Sequence, residues 1–455
     1  MRDLTQGSIT AHLLGMAGFI GLSLIFQTLY FVIDLYFVSR LGNAAIAGVS
    51  AAGNVFFLAL AASQMISIGV MATVAQAVGA KNEAEANLMS DQAISMSIAG
   101  AVLMLVLGYA FGGAGVDALT ADAASAAEGR AYLYAFIPSL ALMFPVQAMI
   151  SALRGAGVTM PTMVLQTATV LINAALAPVL IAGIGTGVPL GAAGAGWAST
   201  IASLVGTIGL VIMFPRVQKY LRLHIRALKP RLDAWKRIVY IGLPTSLEFL
   251  LMFVIFVVIY WVIRGFGAEA QAGFGIGGRI MQSIFLPAMA IAFAAAPIAG
   301  QNFGAKNYDR VRETFKQTAI IGSAVMLTLS LLCHIAPELM VREFTDDPEV
   351  LAITVLYLQI VSWNFVFSGL VMAAGSLFQG MGDTRPSLYA SATRTITFVA
   401  PAIWLSYQPF MTLEHVWYLS VASVMMQCAL SMWLLSRTFK RRLGAPAAAT
   451  TPAAG

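Results

Sequence analysis

The chain has 455 residues, of which 59% are apolar by type and only 10% are charged, and its mean hydropathy is +0.83. Soluble domains carry about 25% charged residues and single hydrophobic cores stop growing near about 250 to 300 residues, so the surplus apolar surface has to face lipid. An all-α, polytopic membrane protein follows, and the formal charge of +6 reports orientation in the bilayer before it reports any nucleic acid.

A spanning helix needs roughly 20 mostly apolar residues, because lipid offers no partner for backbone amides. Twelve stretches of the chain meet that need. The first, near 13 to 38, follows the lone basic residue Arg2 and is too long for the apolar region of a signal peptide, so it reads as a span. Gln27, Tyr30 and Asp34 lie on it at spacings of three and four, on one helical stripe that would face a polar cavity in the first half. Spans two to four run near 47 to 77, 89 to 112 and 131 to 153. The fifth, near 161 to 184, carries Asn173, and the sixth, near 193 to 214, carries Ser199. Residues 215–237 are the longest polar interruption and read as a basic cytoplasmic linker between two halves. The seventh span, near 239 to 263, carries Trp261, and Glu248 four residues after Pro244. The eighth, near 272 to 300, carries Arg279 close to its start, and the ninth lies near 316 to 336. The tenth, near 351 to 377, holds no acidic residue and offers Asn364 and Ser368 as its polar groups. The eleventh, near 387 to 408, carries Arg394 and Phe398, and the twelfth runs near 413 to 436. Residues 443–455 form an Ala, Pro and Thr tail of low complexity, expected to be disordered.

With the N-terminus in the cytoplasm, the inside segments hold 20 of the 26 Lys and Arg and the outside loops hold four, Arg40, Arg130, Arg264 and Arg342. That positive-inside bias predicts cytoplasmic termini in a plasma (inner) membrane. Cys333 and Cys428 both fall in apolar stretches and supply neither a disulfide framework nor a metal site.

An internal repeat is visible at an offset of 225. GAKN occurs at Gly79 to Asn82 and again at Gly304 to Asn307, and the same offset pairs Gly42 with Gly267, Gln76 with Gln301 and Tyr132 with Tyr357. RGAGVTMP and QGMGDTRP align in the same register, matching Gly155 with Gly380 and Pro161 with Pro386. Each half therefore carries six spans in one shared orientation, a parallel repeat of the kind found in secondary transporters. The expected domains are a lobe over 1–214, the linker over 215–237, a second lobe over 238–442 and the tail.

Three of these features together resemble the multidrug and toxic compound extrusion (MATE) family: the pattern from Asp34 to Gly42, the GQNFGAKNYDR stretch from Gly300 to Arg310, and the paired LRGAG and FQGMG-DTRP segments. The resemblance implies a twelve-helix, two-lobed exporter of organic cations and drugs driven by proton or sodium influx, with no cofactor beyond the coupling ion. It also places the family's coupling carboxylate at Asp34 and a family hydroxyl at Ser199.

Coupling chemistry is expected where the two halves diverge. Asp34 faces Ile259 across the repeat, and an intramembrane carboxylate costs at least about 2.5 to 3.5 kcal/mol on insertion scales, which marks it as functional. Such a group can carry a proton, or bind sodium through its oxygens, the one metal role open to this chain. Asn173 faces Phe398; the resemblance implies a second polar residue four positions on, but Ala177 stands there, which tilts the reading towards protons. Glu248 stands earlier in its helix than the carboxylate of one family branch, so it reads either as a counter-charge for a cationic substrate or as a carboxylate held near the Pro244 break. Trp261, Phe398, Asn364 and Ser368 are the other expected contributors to a substrate cavity, since Met and aromatic faces suit promiscuous binding of cationic or amphipathic molecules. Two rivals stand beside the exporter. A flippase of lipid-linked precursors in the same superfamily would want a cationic cavity, and a membrane enzyme would want paired carboxylates or an HExxH helix, which His12, His224, His334 and His415 do not supply. The expected partners are small molecules and lipid, no nucleic acid, and the chain is expected to act as a monomer.

Overall fold

The computed structural model describes residues 3–185, 187–217 and 229–444. The described residues are helical throughout, in the order α1 (Ile9–Ser39), α2 (Asn43–Gly79), α3 (Glu83–Leu119), α4 (Ala123–Gly155), α5 (Met160–Ala182), α6 (Ala192–Val217) and α7 (Leu232–Ile263). A short 3-10 turn leads to α8 (Ala268–Gly304), α9 (Tyr308–Ile335), α10 (Pro337–Val341), α11 (Pro348–Val361), α12 (Asn364–Gly380), α13 (Arg385–Ser406) and α14 (Leu413–Leu443).

The helices overrun the apolar stretches because their first turns are polar and capped. Asn82 accepts from the Glu85 amide at the start of α3, Asp122 from the Ser125 amide at α4, and Asp347 from the Glu349 and Val350 amides at α11. Each cap satisfies an amide that the helix itself leaves unpaired.

Among the described residues, ten helices are long and apolar enough to cross a membrane, and eleven if α11 and α12 form one span. The predicted count of twelve differs for two reasons. The tenth span is broken, with α11 and α12 meeting at 54° around Ser362 and Trp363. The eleventh, α13, is 22 residues long but carries Arg385, Arg394 and a run of Ser and Thr, so it falls short in composition rather than length. Exposed apolar side chains such as Val106 and Phe111 on α3, Leu171 on α5 and Phe256 on α7 form the lipid-facing surface of a multi-pass protein.

The repeat governs the backbone. The starts of α2 and α8, α3 and α9, α4 and α11, and α5 and α13 are each separated by 225 residues. Lys81 and Lys306, in the two GAKN turns, both adopt the left-handed conformation, with φ of 56° and 60°. Strain of this kind is rare outside glycine, and its recurrence shows that the two turns are one structure used twice.

Two packed units result. Unit 1 is Met1–Asp3 with Gly18–Ser246, and unit 2 is Leu4–Ala17 with Leu247–Gly455. In unit 1, α4 packs against α2, α3 and α6, with α5 on α6; in unit 2, α12 packs against α8, α9 and α14.

These boundaries depart from those expected at 214 and 238. Instead of belonging to one lobe, α1 and α7 each divide between units. The opening segment is held in unit 2: Leu4 is 0% exposed, its amide donates to Gln301 Oε1 (3.1 Å), and Asn302 Nδ2 donates to its carbonyl (3.1 Å). Arg310 Nε donates to Asn302 Oδ1 (3.0 Å) and its Nη2 to the Gly7 carbonyl (3.0 Å). The start of α7 is held in unit 1, where Gln92 donates to the Lys229 carbonyl (2.9 Å) and accepts from the Arg231 amide (2.7 Å), and Arg237 pairs with Glu85 (2.6 Å). Of the expected linker, 218–228 lies outside the described residues, as does the tail from 445 onward. Asn302→Ala removes both the donor to Leu4 and the acceptor for Arg310, so residues 4 to 8 should exchange amide hydrogens faster, read by hydrogen–deuterium exchange, while α9 and α12 stay protected.

Candidate functional site

Unit 1 gathers polar groups from four helices into an apolar surround. Asp34 on α1 is 7% exposed, and Tyr132 on α4 donates to its Oδ2 at 3.4 Å. Asn173 on α5 and Ser199 on α6 are both 0% exposed, and Asn173 Nδ2 donates to Ser199 Oγ at 3.3 Å. Tyr30, one turn before Asp34 and half-buried, is hydrogen-bonded to Ser199 and lies within electrostatic range of Asp34. Thus Tyr30, Asp34, Asn173 and Ser199, picked out on three separate spans, meet at one place. Gln27, the first member of the predicted stripe, is exposed and makes none of these bonds.

Two oxygens of the cluster, Asp34 Oδ1 and Asn173 Oδ1, are enclosed and have no hydrogen-bond partner. Both are acceptors, and no basic side chain pairs with Asp34 among the described residues. The walls are apolar: Tyr132 rests on Phe136 with ring centroids 5.2 Å apart, Phe136 lies 6.4 Å from Phe56, and Ala177, Ala195 and Ala198 are fully buried in the same core. In such a dry surround an unpaired acceptor is costly and its attraction for a proton or small cation is strong.

Tyr132 was not among the residues singled out for chemistry. It matches Tyr357 across the repeat and so reads as scaffold; the signal lay in the residue at the equivalent position of the paired helix, Asp34 in one half and Ile259 in the other. Tyr132→Phe removes only the hydroxyl. Because 3.4 Å is long for an O–H···O bond, the effect should sit near the low end for a bond to a charged group, about 1.5 kcal/mol, and since that bond favours the charged carboxylate its loss should leave a proton held roughly tenfold more tightly and slow coupled efflux. Tyr357→Phe should leave ion-driven ethidium efflux from proteoliposomes unchanged, because Ile259, at the counterpart of the Asp34 position, carries no polar group to bond.

The residues expected to line a substrate cavity are dispersed in unit 2. Glu248 is half-buried and accepts from Ser387 Oγ on α13 at 3.1 Å, a partner other than the helix amides near Pro244. Asn364 is buried as the first residue of α12, with an unpartnered Oδ1, and Ser368 follows one turn later, half-buried. Phe398 is 1% exposed inside the apolar core with Phe365 and Ala402, so its ring is closed off from any cavity. Trp261 stands at the end of α7, 6.5 Å from the Tyr407 ring and under the Arg264 guanidinium at 5.1 Å. Phe398 packs within the unit 2 core and Trp261 against it. Arg279 is exposed, and Cys333 and Cys428 are buried free thiols.

The MatE family model matches residues 20–179 and 244–405. A probable multidrug resistance protein NorM of Thermotoga maritima is 26% identical over 85% of this chain and 81% of its own length. The multidrug export protein MepA of Staphylococcus haemolyticus is 23% identical over 92% of this chain and 91% of its own. An outward-facing multidrug resistance MATE transporter of the MOP superfamily superposes with a TM-score of 0.89 at 20% identity, over 97% of this chain and 98% of the other.

Proposed function

The chain belongs to the MatE family of membrane transporters, and on that premise we propose that it is a secondary antiporter that exports organic cations and drugs in exchange for protons by alternating access. The names of its relatives NorM and MepA support drug export. The observation that carries the coupling is the pair of enclosed, unpartnered acceptor oxygens on Asp34 and Asn173.

A proton on Asp34 completes that arrangement most simply. The hydroxyls of Tyr132 and Ser199 are already engaged, with Asp34 and with Asn173 respectively, and Ala177 supplies methyl where a further oxygen would serve sodium. Protonation from outside neutralises Asp34 within its apolar surround, and release to the cytoplasm restores the charge, so the two charge states differ in how readily the site tolerates exclusion from water. The positive-inside bias supports a plasma (inner) membrane location with cytoplasmic termini, and the chain is read as a monomer.

The test is ethidium efflux from proteoliposomes, first under a pH gradient with no sodium and then under a sodium gradient with no pH difference. Efflux in the first condition alone is expected. Efflux in the second alone assigns sodium to the site, and none in either refutes ion-driven export.

A further inference from the structure

Helices α9 and α14 of unit 2 meet at one end and run in opposite directions. The Arg312 guanidinium, near the start of α9, donates to the carbonyls of Leu443 (3.4 Å) and Gly444 (2.6 Å) at the end of α14, and the Phe315 and Phe439 rings meet edge-on at 6.1 Å. One residue beyond each ring stands an exposed lysine, Lys316 on α9 and Lys440 on α14. A step of one residue turns an α-helix by about 100°, and on two antiparallel helices that face each other it turns to the same side. The opposite side is closed, by Val311, Thr314 and Thr318 on α9 and by Leu435 and Thr438 on α14. The two lysines therefore flank one outward-facing groove, with the Phe315 and Phe439 rings as its floor.

The same face of α14 continues this chemistry. Ser436 and Arg437 stand one turn before Lys440 and are exposed, and the Arg437 guanidinium lies over the Trp433 ring, 4.6 Å from its centroid. Trp433 is 52% exposed, and a tryptophan so placed settles at the level of lipid headgroups. The neighbouring charges are already engaged: Arg312 pairs with Asp309 (2.7 Å), Arg441 with Asp383 (3.1 Å), Arg442 donates to the Met381 carbonyl (2.8 Å), and Gln317 donates to Glu313 (2.5 Å). Lys316, Arg437 and Lys440 make no ion pair or hydrogen bond with any described residue.

The fold does not require these cations. At the offset of 225 their counterparts in unit 1 are Asp91, Ile212 and Pro215, and Trp433 answers to Ile208. Asp91 is 2% exposed, so at these positions unit 1 offers lipid no cation.

We propose that Lys316, Arg437 and Lys440 bind the headgroup of an anionic phospholipid, whose phosphate lies across the groove between α9 and α14 and whose acyl chain follows the exposed face of α14 past Trp433, Ala429 and Met425. With the termini in the cytoplasm, this end of both helices meets the inner leaflet, whose surface is anionic. Three unpaired cations complement a phosphodiester, which a zwitterionic lipid offsets with its own amine. The bound lipid ties the ends of α9 and α14 together and, by binding the folded chain, stabilises it.

The test is native mass spectrometry of the full chain, delipidated in detergent and titrated with phosphatidylglycerol or phosphatidylcholine, with the thermal midpoint read by scanning fluorimetry. Its outcome is independent of what the chain transports. Phosphatidylglycerol should bind more tightly than phosphatidylcholine and raise the midpoint. Lys316→Gln, Arg437→Gln and Lys440→Gln should each weaken the first bound phosphatidylglycerol about fivefold, the effect of one basic residue near an anionic surface, and leave phosphatidylcholine unchanged. Arg437→Lys should retain the affinity. Arg216→Gln, which removes an exposed cation at the end of α6, should change neither lipid. Should Arg437→Gln fail to fold, the two lysine variants decide the matter. Equal binding of both lipids by the wild-type chain overturns the proposal, and so does a loss in Arg216→Gln equal to that in Lys440→Gln, which marks a diffuse attraction rather than a site. Glycerol phosphate that raises the midpoint as much as phosphatidylglycerol assigns the cations to a free phosphate and overturns it too.

Discussion

Replacing Asp34 by Asn is expected to reduce ion-driven ethidium efflux from proteoliposomes to the level of protein-free vesicles while the protein remains inserted and folded. The substitution keeps the size of the side chain and still offers an oxygen to the Tyr132 hydroxyl, which now donates to Asp34 Oδ2. It removes the charge, and with it the difference between a loaded and an empty site. An amide at this position resembles the protonated carboxyl in shape and neutrality, so the variant should behave as a permanently loaded transporter. Ethidium binding at equilibrium should weaken, because the substrate opposes the loaded state, and coupled efflux should be lost. Coupled efflux retained in Asp34→Asn would remove this carboxylate from the mechanism. Asn173→Ala takes away the second enclosed oxygen and should lower coupling without abolishing it.

Gly196→Val should cost both stability and transport. A side chain at Gly196 would meet the Tyr132 carbonyl at 2.5 Å, the Ala135 methyl at 2.7 Å and the Phe136 amide at 3.0 Å, and two of those three atoms are main chain that cannot swing aside. Helices α4 and α6 would have to part, although Thr200 Oγ1, one turn on, bonds the Ala135 carbonyl at 2.6 Å and holds them together. Overpacking a tight crossing costs about 1 to 3 kcal/mol. Ser199 stands three residues after Gly196, so parting the helices also draws Ser199 away from Tyr30 and Asn173. A lowered thermal midpoint together with lost efflux is the expected outcome, read by scanning fluorimetry and the vesicle assay. A variant with wild-type stability would show that the crossing is looser than the structure has it.

Much of this architecture was legible in the chain. The repeat at 225 residues foretold the matching helix starts, and the GAKN turns foretold a shared backbone, because a lysine held at positive φ has few sequence solutions. Asp34, Asn173 and Ser199 stood out because each broke the repeat or its apolar setting, and the fold joins them across three helices. Tyr132 was hidden by matching its partner, since a conserved scaffold position acquires chemistry only from what faces it. The break around Ser362 and Trp363 carries no glycine or proline, so the apolar run reads straight through it. Phe398 is closed into the unit 2 core and Trp261 packs against it, a placement that residue type alone does not reveal. The division of α1 and α7 between the units is likewise invisible to hydropathy, which measures where a helix is apolar and not what it leans on.

The most direct test counts protons. If Asp34 holds the coupling proton, binding of ethidium to purified protein in weakly buffered, sodium-free detergent solution must release protons, because a substrate that opposes the loaded state lowers its proton affinity by the same factor. Wild-type protein should release protons on binding ethidium and Asp34→Asn should release none. Equal release from both proteins would contradict the account.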